Sequence, residues 1–342
     1  MTRPDIPQEF KDYARRLLGA ERYARFAQAL DEIPSVSVRL NPFKAVWSGL
    51  SAEGLNGGDG PVLWVSGEGY YLSERPPFTF DPLFHAGAYY VQEASSMFLE
   101  QAIRNFVSEP VKCLDLCAAP GGKSTHLLNL LPEGSLLVSN EVIRTRSNIL
   151  AENITKWGNP NNIVTNNDPE DIGRLTHLFD VIVTDVPCSG EGMFRKDTDS
   201  TGEWSVANVN LCAGRQRRII HDIWNALKPG GLLIYSTCTY NTEEDEDNIH
   251  YIIEELGAEA LSIPIRDERQ ITGPLRHAHP VYRFFPHKTK GEGFFLAALR
   301  KASGEVDEII RPKSKNKKDK GKAAPVIPPV VNKWIQEPDS FR

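Results

Sequence analysis

Apolar positions along this chain follow two different rules. From residue 7 to about residue 30 they recur at helical spacing, at Phe10, Tyr13, Leu17, Leu18, Phe26 and Leu30, which predicts helix with one buried face. Short extended pieces are predicted at 35–40 and 62–65, with Gly57, Gly58 and Gly60 marking a loop between them, and a further helix at 92–106. These elements read as a small α+β module over residues 1–108.

From residue 111 onward strands and helices alternate. The runs VKCLDLC (111–117), SLLVSNE (135–141), NIVTNND (162–168), DVIVTDVPC (180–188) and GLLIYSTC (231–238) are short, almost continuously apolar and rich in β-branched residues. That is how strands buried on both faces of a parallel sheet read. Helices are predicted from Lys123, over Arg144–Trp157, at 215–227 and at 243–256, the last capped by Asn241 or Thr242. A turn at 228–231 and a closing strand GFFLAAL at 293–299 complete residues 109–302. Such alternation predicts an α/β doubly wound sheet.

Composition narrows the class. The chain has 342 residues, 40% of them hydrophobic, and a net charge of −6. No stretch is apolar enough to span a membrane and the first residues carry no apolar signal core, so a cytoplasmic location is expected. Five cysteines, an odd number set mostly in apolar strands, argue for reduced thiols, and Cys113 and Cys117 lack zinc-site spacing; no metal is expected. The average charge conceals a run at 311–322 with seven basic residues and one acid, leaving about −12 on the rest. This run reads as a solvated linker within 303–342. Smaller basic clusters lie at Arg15, Arg16, Arg22 and Arg25, at Arg215, Arg217 and Arg218, and at Arg283, His287, Lys288 and Lys290. Whether they share a face depends on the fold.

The strand ends carry the candidate chemistry, because ligands of open α/β sheets bind beyond the carboxyl ends of the strands. The first strand runs into Asp115-Leu116-Cys117-Ala118-Ala119-Pro120-Gly121-Gly122-Lys123, a glycine turn at a helix start. It lacks the first glycine of a phosphate loop, and G-x-G-x-x-G is absent. Glu141, Asp168 and Asp185 end or line the next three strands. Three acids and a glycine turn suit a ribose, an adenine amino group and a cationic sulfonium better than a pyrophosphate, so S-adenosylmethionine is the expected cofactor. Cys188 and Cys238 end two strands and are expected to point two thiols into one crevice.

Those motifs resemble the Sun-type (nucleolar-protein-related) RNA cytosine-5 methyltransferases. The resemblance rests on DLCAAPGGKS, DVPCSG followed by EGMFRK, STCTY before an acidic helix, RFFPH and GEGFFLA, with RLNP at 39–42 and YVQEASS at 90–96 upstream. It covers roughly residues 36–301 and is strongest toward bacterial members acting on 16S ribosomal RNA. It implies a Rossmann-like S-adenosylmethionine methyltransferase sheet behind a small N-terminal α+β domain that frames RNA, and a tether leading toward a C-terminal RNA-binding domain. It further implies that Cys238 attacks carbon 6 of cytosine, that Cys188 serves elimination and that Asp185 bonds the cytosine edge. The cofactor would lie along Cys117, Ala118, Ala119, Pro120, Gly121, Gly122 and Lys123, with Glu141, Asp168 and Asp185. Phe194, Trp204 and Tyr240 are expected to stack on a base or wall the pocket, and Arg39 and Asn41 to help frame the channel. The partner is RNA, ribosomal RNA or the small subunit, the protein a monomer. The alternatives are a transfer RNA cytosine-5 methyltransferase and a non-catalytic RNA-binding assembly factor. One difficulty is visible: Glu243, Glu244, Asp245, Glu246 and Asp247 follow Cys238 and oppose a thiolate there unless a cation offsets them.

Overall fold

The computed structural model describes residues 6–44, 59–197 and 199–303. The predicted tether beyond Ser303, and Gly57 and Gly58, lie outside the described residues.

The N-terminal helical stretch forms two helices, α1 (Gln8–Leu18) and α2 (Ala20–Leu30), because Gly19 between them takes φ 76°. They are followed by β1 (Val36–Leu40), which pairs antiparallel with β2 (Gly69–Leu72) and β3 (Tyr89–Val91). Residues 62–65, expected as a strand, instead make a turn beside the isolated bridge of Pro61 to Tyr70, with Val62 and Trp64 buried as core. The predicted helix at 92–106 is shorter. Glu93 accepts hydrogen bonds from the Ser95 and Ser96 N–H groups (3.0 and 2.9 Å), starting a 3-10 turn that only then gives way to α3 (Leu99–Phe106).

The main sheet follows the predicted alternation: β4 (Lys112–Asp115), α4 (Gly122–Leu130), β5 (Leu136–Asn140), α5 (Arg144–Trp157), β6 (Asn162–Thr165), α6 (Pro169–Gly173), β7 (Phe179–Asp185), α7 (Val206–Ile223), β8 (Leu227–Thr237), α8 (Glu246–Leu256), β9 (Ala258–Leu261), β10 (Tyr282–Phe284) and β11 (Phe294–Lys301). Five strands run parallel in the order β6-β5-β4-β7-β8. Antiparallel β11 adds to β8, and β9 and β10 both pair with β11. The order reverses between β4 and β7, which opens the ligand crevice at their carboxyl ends. Successive residues feed opposite cores: Val181, Val183, Leu232 and Ile234 join one, packed with α4 and α5, while Ile182, Leu233 and Tyr235 join the other, packed with α7 and α8. Both faces are covered, which is why these strands read as unbroken apolar runs.

Three boundaries differ from expectation. The segment Lys228-Pro229-Gly230-Gly231 is not a turn ahead of β8 but a bulge within it: register jumps from Phe179 opposite Leu227 to Val181 opposite Leu232, and Gly230 supplies the φ of 73°. Helix α7 begins at Val206, nine residues early, where Ser205 caps it by accepting from the Asn208 N–H. Helix α8 begins at Glu246, because Asn241 Oδ1 caps the Glu244 N–H and the chain turns before entering the helix.

The N-terminal sheet is joined to the main sheet by buried polar groups. Arg39 is wholly buried, stacks 4.6 Å over Trp157, and donates to Gln92 Oε1 (2.9 Å) and Thr125 Oγ1 (2.6 Å). Asn41 Nδ2 donates to the carbonyls of Gly87 and Trp157. Both were expected at an RNA channel. They hold two sheets together instead.

Candidate active site

Strands β7 and β8 lie side by side in register, Asp185 opposite Ser236, so the residues just past their ends emerge together. Cys188 and Cys238 meet there with their Sγ atoms 3.1 Å apart, both as free thiols. Asp185 stands beside them, accepting from Lys123 Nζ (2.7 Å) and Ser236 Oγ (3.0 Å). Lys123 belongs to the first turn of α4, across the crevice. Burial lowers its affinity for a proton, but Asp185, Asp115 and Cys238 outweigh burial and raise it, so it stays an ammonium. Cys188 is pushed well above the ordinary thiol range, first by its hydrogen bond to Cys238 and then by burial. Cys188 therefore holds its proton more tightly than a free thiol.

Two buried carboxylates fix that contact reciprocally. Glu191, three residues after Cys188, accepts from the N–H groups of Tyr240 (2.6 Å) and Asn241 (3.0 Å), from Asn241 Nδ2 (3.0 Å) and from Trp204 Nε1 (2.9 Å). Glu244, six after Cys238, accepts from the Ser189 N–H (3.0 Å), Gln216 Nε2 (2.7 Å) and Asn241 Nδ2 (2.8 Å). Each thiol's loop is thus held by an acid from the other's. Burial, then Glu244, push Glu191 up to about 7, against the pull of its donors. Glycine is required where the loops cross: a Cβ on Gly192 would stand 2.6 Å from the Gly293 carbonyl oxygen and 3.0 Å from that of Cys238.

The acids after Cys238 are each answered. Arg283, only 1% exposed, lies 3.2 Å from Asp245, bonds Glu246 through two nitrogens, and donates to the Tyr240 carbonyl (3.0 Å). Asp247 pairs with Arg276 and His277, and Glu243 accepts from the Tyr13 hydroxyl. Arg283 therefore belongs to the core and not to a basic surface cluster. Arg217 is likewise engaged, with Asn248 (2.7 Å), and Arg218 with Asp222 (3.0 Å). Lys196 lies 3.8 Å from Glu292.

Beside the thiols, the turn at 117–122 is pinned from α5, with Arg146 and Asn153 donating to the carbonyls of Ala119 and Pro120 (both 2.8 Å). Gly121 takes φ 115° and α4 opens without a side-chain cap, leaving its first N–H groups facing the crevice end. Asp115 is buried; Oδ2 accepts from Ser124 (2.6 Å), whereas Oδ1 has no partner. Burial raises Asp115 to about 7. Burial, then Asp115, Asp185 and Glu141 raise the Cys117 thiol, which shows these acids converging around it. Glu141 is buried, accepting from the Ile143 N–H (2.9 Å) with Arg146 at 3.4 Å. Asp168 caps α6 through the Glu170 N–H (3.1 Å). Phe194, Trp204 and Tyr240 do not line the crevice: they are core, packed with Phe10 and Phe26 of α1 and α2. No group of three metal-binding side chains occurs among the described residues, nor a helix long and apolar enough to cross a membrane.

Residues 106–300, more than half of the chain, match the family model of the 16S rRNA methyltransferase RsmB/F. The chain belongs to this family. The RsmB/F match is joined by one over residues 6–94 to the N-terminal domain of 16S rRNA methyltransferase RsmF. Ribosomal RNA small subunit methyltransferase F of Erwinia tasmaniensis is 34% identical over 253 residues, 71% of this chain and 52% of that protein. Its counterpart in Serratia proteamaculans is 38% identical over 218 residues, 63% of this chain and 45% of that one. The chain spans about half the length of the curated relatives it matches. Among solved structures, a methyltransferase homologue from Pyrococcus horikoshii superposes with TM-score 0.72 at 28% identity, covering 87% of this chain and 96% of that one. NSun6 from the same organism, solved with SFG, superposes at 0.75 and 22% identity, covering 89% and 100%. In this RsmB/F chain sequence reasoning missed the part of Glu191 and the roles of Glu244, read only as an opposing charge, and of Arg283, read only as one of a basic cluster. The one available signal was Glu191 lying three residues from Cys188 in a loop that otherwise needs no acid.

Proposed function

We propose that this chain methylates carbon 5 of a cytosine in 16S ribosomal RNA with S-adenosylmethionine, through a covalent adduct to Cys238. The observation that carries the reading is the pair of free thiols 3.1 Å apart beyond adjacent strand ends, beside the Lys123–Asp185 pair. Two adjacent thiols suit a reaction that needs a nucleophile and later a base.

The acids around Cys117 fit the cofactor. Asp185 offers negative charge to a sulfonium or ammonium group, the Asp115 oxygen without a partner is an open hydrogen-bonding position, Glu141 offers a carboxylate to ribose hydroxyls, and Asp168 keeps one oxygen beyond its cap. The SFG of the related NSun6 structure, an S-adenosylmethionine analogue, supports this. Bound there, S-adenosylmethionine supplies an electrophilic methyl group.

We assign the attack to Cys238, the residue that the family resemblance marks, with the Lys123 ammonium near it to favour a thiolate. Its thiolate adds to carbon 6, and the electron pair moves to carbon 5, which takes the methyl group. The Lys123 ammonium stabilises the negative charge developing on the ring, and Asp185 holds Lys123 in place. Cys188 loses its proton to solvent, and its thiolate then removes the proton from carbon 5. The carbon 6–sulfur bond breaks, Cys238 leaves as thiolate, and one proton has been released per methyl group. The target base must be unpaired or flipped to reach the thiols. Residues 1–108, 109–302 and 303–342 serve in this reading as RNA-framing domain, catalytic domain and tether.

Bisulfite sequencing of 16S ribosomal RNA from cells with and without the gene tests it. One cytosine that loses protection in the deletion strain supports the reading; an unchanged map refutes the ribosomal RNA target. Methylation of transfer RNA instead would favour that alternative substrate.

A further inference from the structure

Two basic clusters that are far apart in the sequence come together next to the Cys238 loop. Arg22 and Arg25 stand three residues apart on α2, and Phe26, four residues on from Arg22, lies on the Arg22 side of the helix. Phe26 is fully buried, with Tyr240 at 4.9 Å and the His287 ring at 5.9 Å. Tyr240 in turn stacks on Phe285 at 5.5 Å. This aromatic stack seats His287 and Lys288 against the basic side of α2, and Tyr240 is only two residues past Cys238.

The cluster is incompletely answered. Arg25 has an exposed partner in Glu21 at 3.4 Å, and Lys288 donates only to Thr272 Oγ1 (3.1 Å). Among the described residues no carboxylate pairs with Arg22 or Lys288. Both ring nitrogens of His287 are shut off from solvent without a hydrogen-bond partner, although a buried polar atom ordinarily finds one. Burial, then Lys288, Arg22 and Arg25 push His287 down to about 4; burial, then the two arginines lower Lys288. Three cations gathered with a single exposed counter-charge describe a site completed by an anion.

We propose that Arg22, Arg25 and Lys288, backed by His287, bind a backbone phosphate of the substrate RNA close to the cytosine that enters the thiol crevice. The proposal rests on the RNA reading above. Contacts of this kind set register and do not read sequence, so the site fixes which nucleotide reaches Cys238 without choosing its neighbours.

The test is fluorescence anisotropy of the full chain with a single-stranded RNA oligonucleotide containing one cytosine, over a range of salt concentrations. The double variant Arg22→Ala/Lys288→Ala is expected to bind at least about 10-fold more weakly at low salt. Its plot of log Kd against log salt is expected to be shallower by about 1.4, two phosphate contacts at roughly 0.7 each. Removing the exposed Arg174, which is paired with Glu170 and Asp171, leaves both unchanged. An unaltered affinity and slope in the double variant would make the cluster a solvated surface and overturn the proposal. Weaker binding with an unaltered slope also overturns it, by making the effect structural. If the unaltered chain binds no RNA, the RNA reading itself falls, a result distinct from both.

Discussion

Arg283→Met tests how an acidic neighbourhood tolerates a reactive thiol. The guanidinium is buried against Asp245 and Glu246, which are themselves buried, and it also bonds the Tyr240 and Asn241 carbonyls. Asp245 Oδ2 has no hydrogen-bond donor and depends on the Arg283 charge. Methionine fills much of the volume but leaves two carboxylates facing each other without a cation. Removing one partner of a buried ion pair costs about 3–5 kcal/mol. At about 1.4 °C per kcal/mol for a chain of this length, from roughly 2.1 cal/mol/K of unfolding entropy per residue, the melting temperature at pH 7 should fall by roughly 4–7 °C. Methylation should fall further than stability explains, because the two carbonyls released lie just beyond Cys238. Arg283→Lys keeps the charge but loses the fork, and should recover part of the loss. Adding Glu246→Gln to Arg283→Met should restore more than half, since it removes one stranded charge. Differential scanning calorimetry of the four proteins decides it. A melting temperature for Arg283→Met within about 1 °C of the unaltered chain, the shift expected of a surface change, would refute the account of charge compensation.

Glu191→Ala removes the acceptor of four donors; at roughly 1–3 kcal/mol for each buried donor left bare, it should unfold well below the unaltered chain in urea, with Glu191→Gln intermediate. Equal midpoints for the two variants would contradict the clamp. Gly192→Ala puts a methyl group 2.6 Å from a backbone oxygen, so methylation should drop about 5-fold or more, from a displacement costing about 1–3 kcal/mol; unchanged kinetics would show that the loops do not need to cross so closely. For Asp115, whose carboxyl is raised to about 7 from 3.8 by burial, the folded state holds a proton between those values that the unfolded chain has released. Its contribution is therefore fully present below about pH 4 and is lost as pH rises through about 7. Asp115→Asn should thus gain in melting temperature relative to the unaltered chain between pH 4.5 and pH 7.5. A difference that does not change with pH counts against a buried, raised Asp115.

The parallel strands and their cysteine ends were legible because burial on both faces writes β4, β5, β7 and β8 as unbroken apolar runs, and because Cys188 and Cys238 stop two of them. Strands β2, β3, β9 and β10, of three or four residues each, carry too few positions for a period to show. Helix α7 is predicted nine residues short because its first turns bury only Val209, Cys212 and Ala213, two of them small, which leaves a weak apolar period over 206–214. Phe194, Trp204 and Tyr240 resembled a base platform because an aromatic looks alike in a wall and in a core; what buries them is α1 and α2, some two hundred residues away for Tyr240. Arg39 and Arg283 resembled RNA contacts for the same reason: charge is visible in sequence, burial against distant partners is not. The clamp of Glu191 and Glu244 has no local pattern, since each acid serves the other's loop.

The ordered roles of the two thiols are the centre of this account, and trapping on a denaturing gel tests them most directly. With target RNA and S-adenosylmethionine, Cys188→Ala should attack and stall, accumulating an RNA adduct that survives denaturation, whereas Cys238→Ala should form none and transfer no methyl group. An adduct that appears with Cys238→Ala and is missing with Cys188→Ala would contradict the assignment.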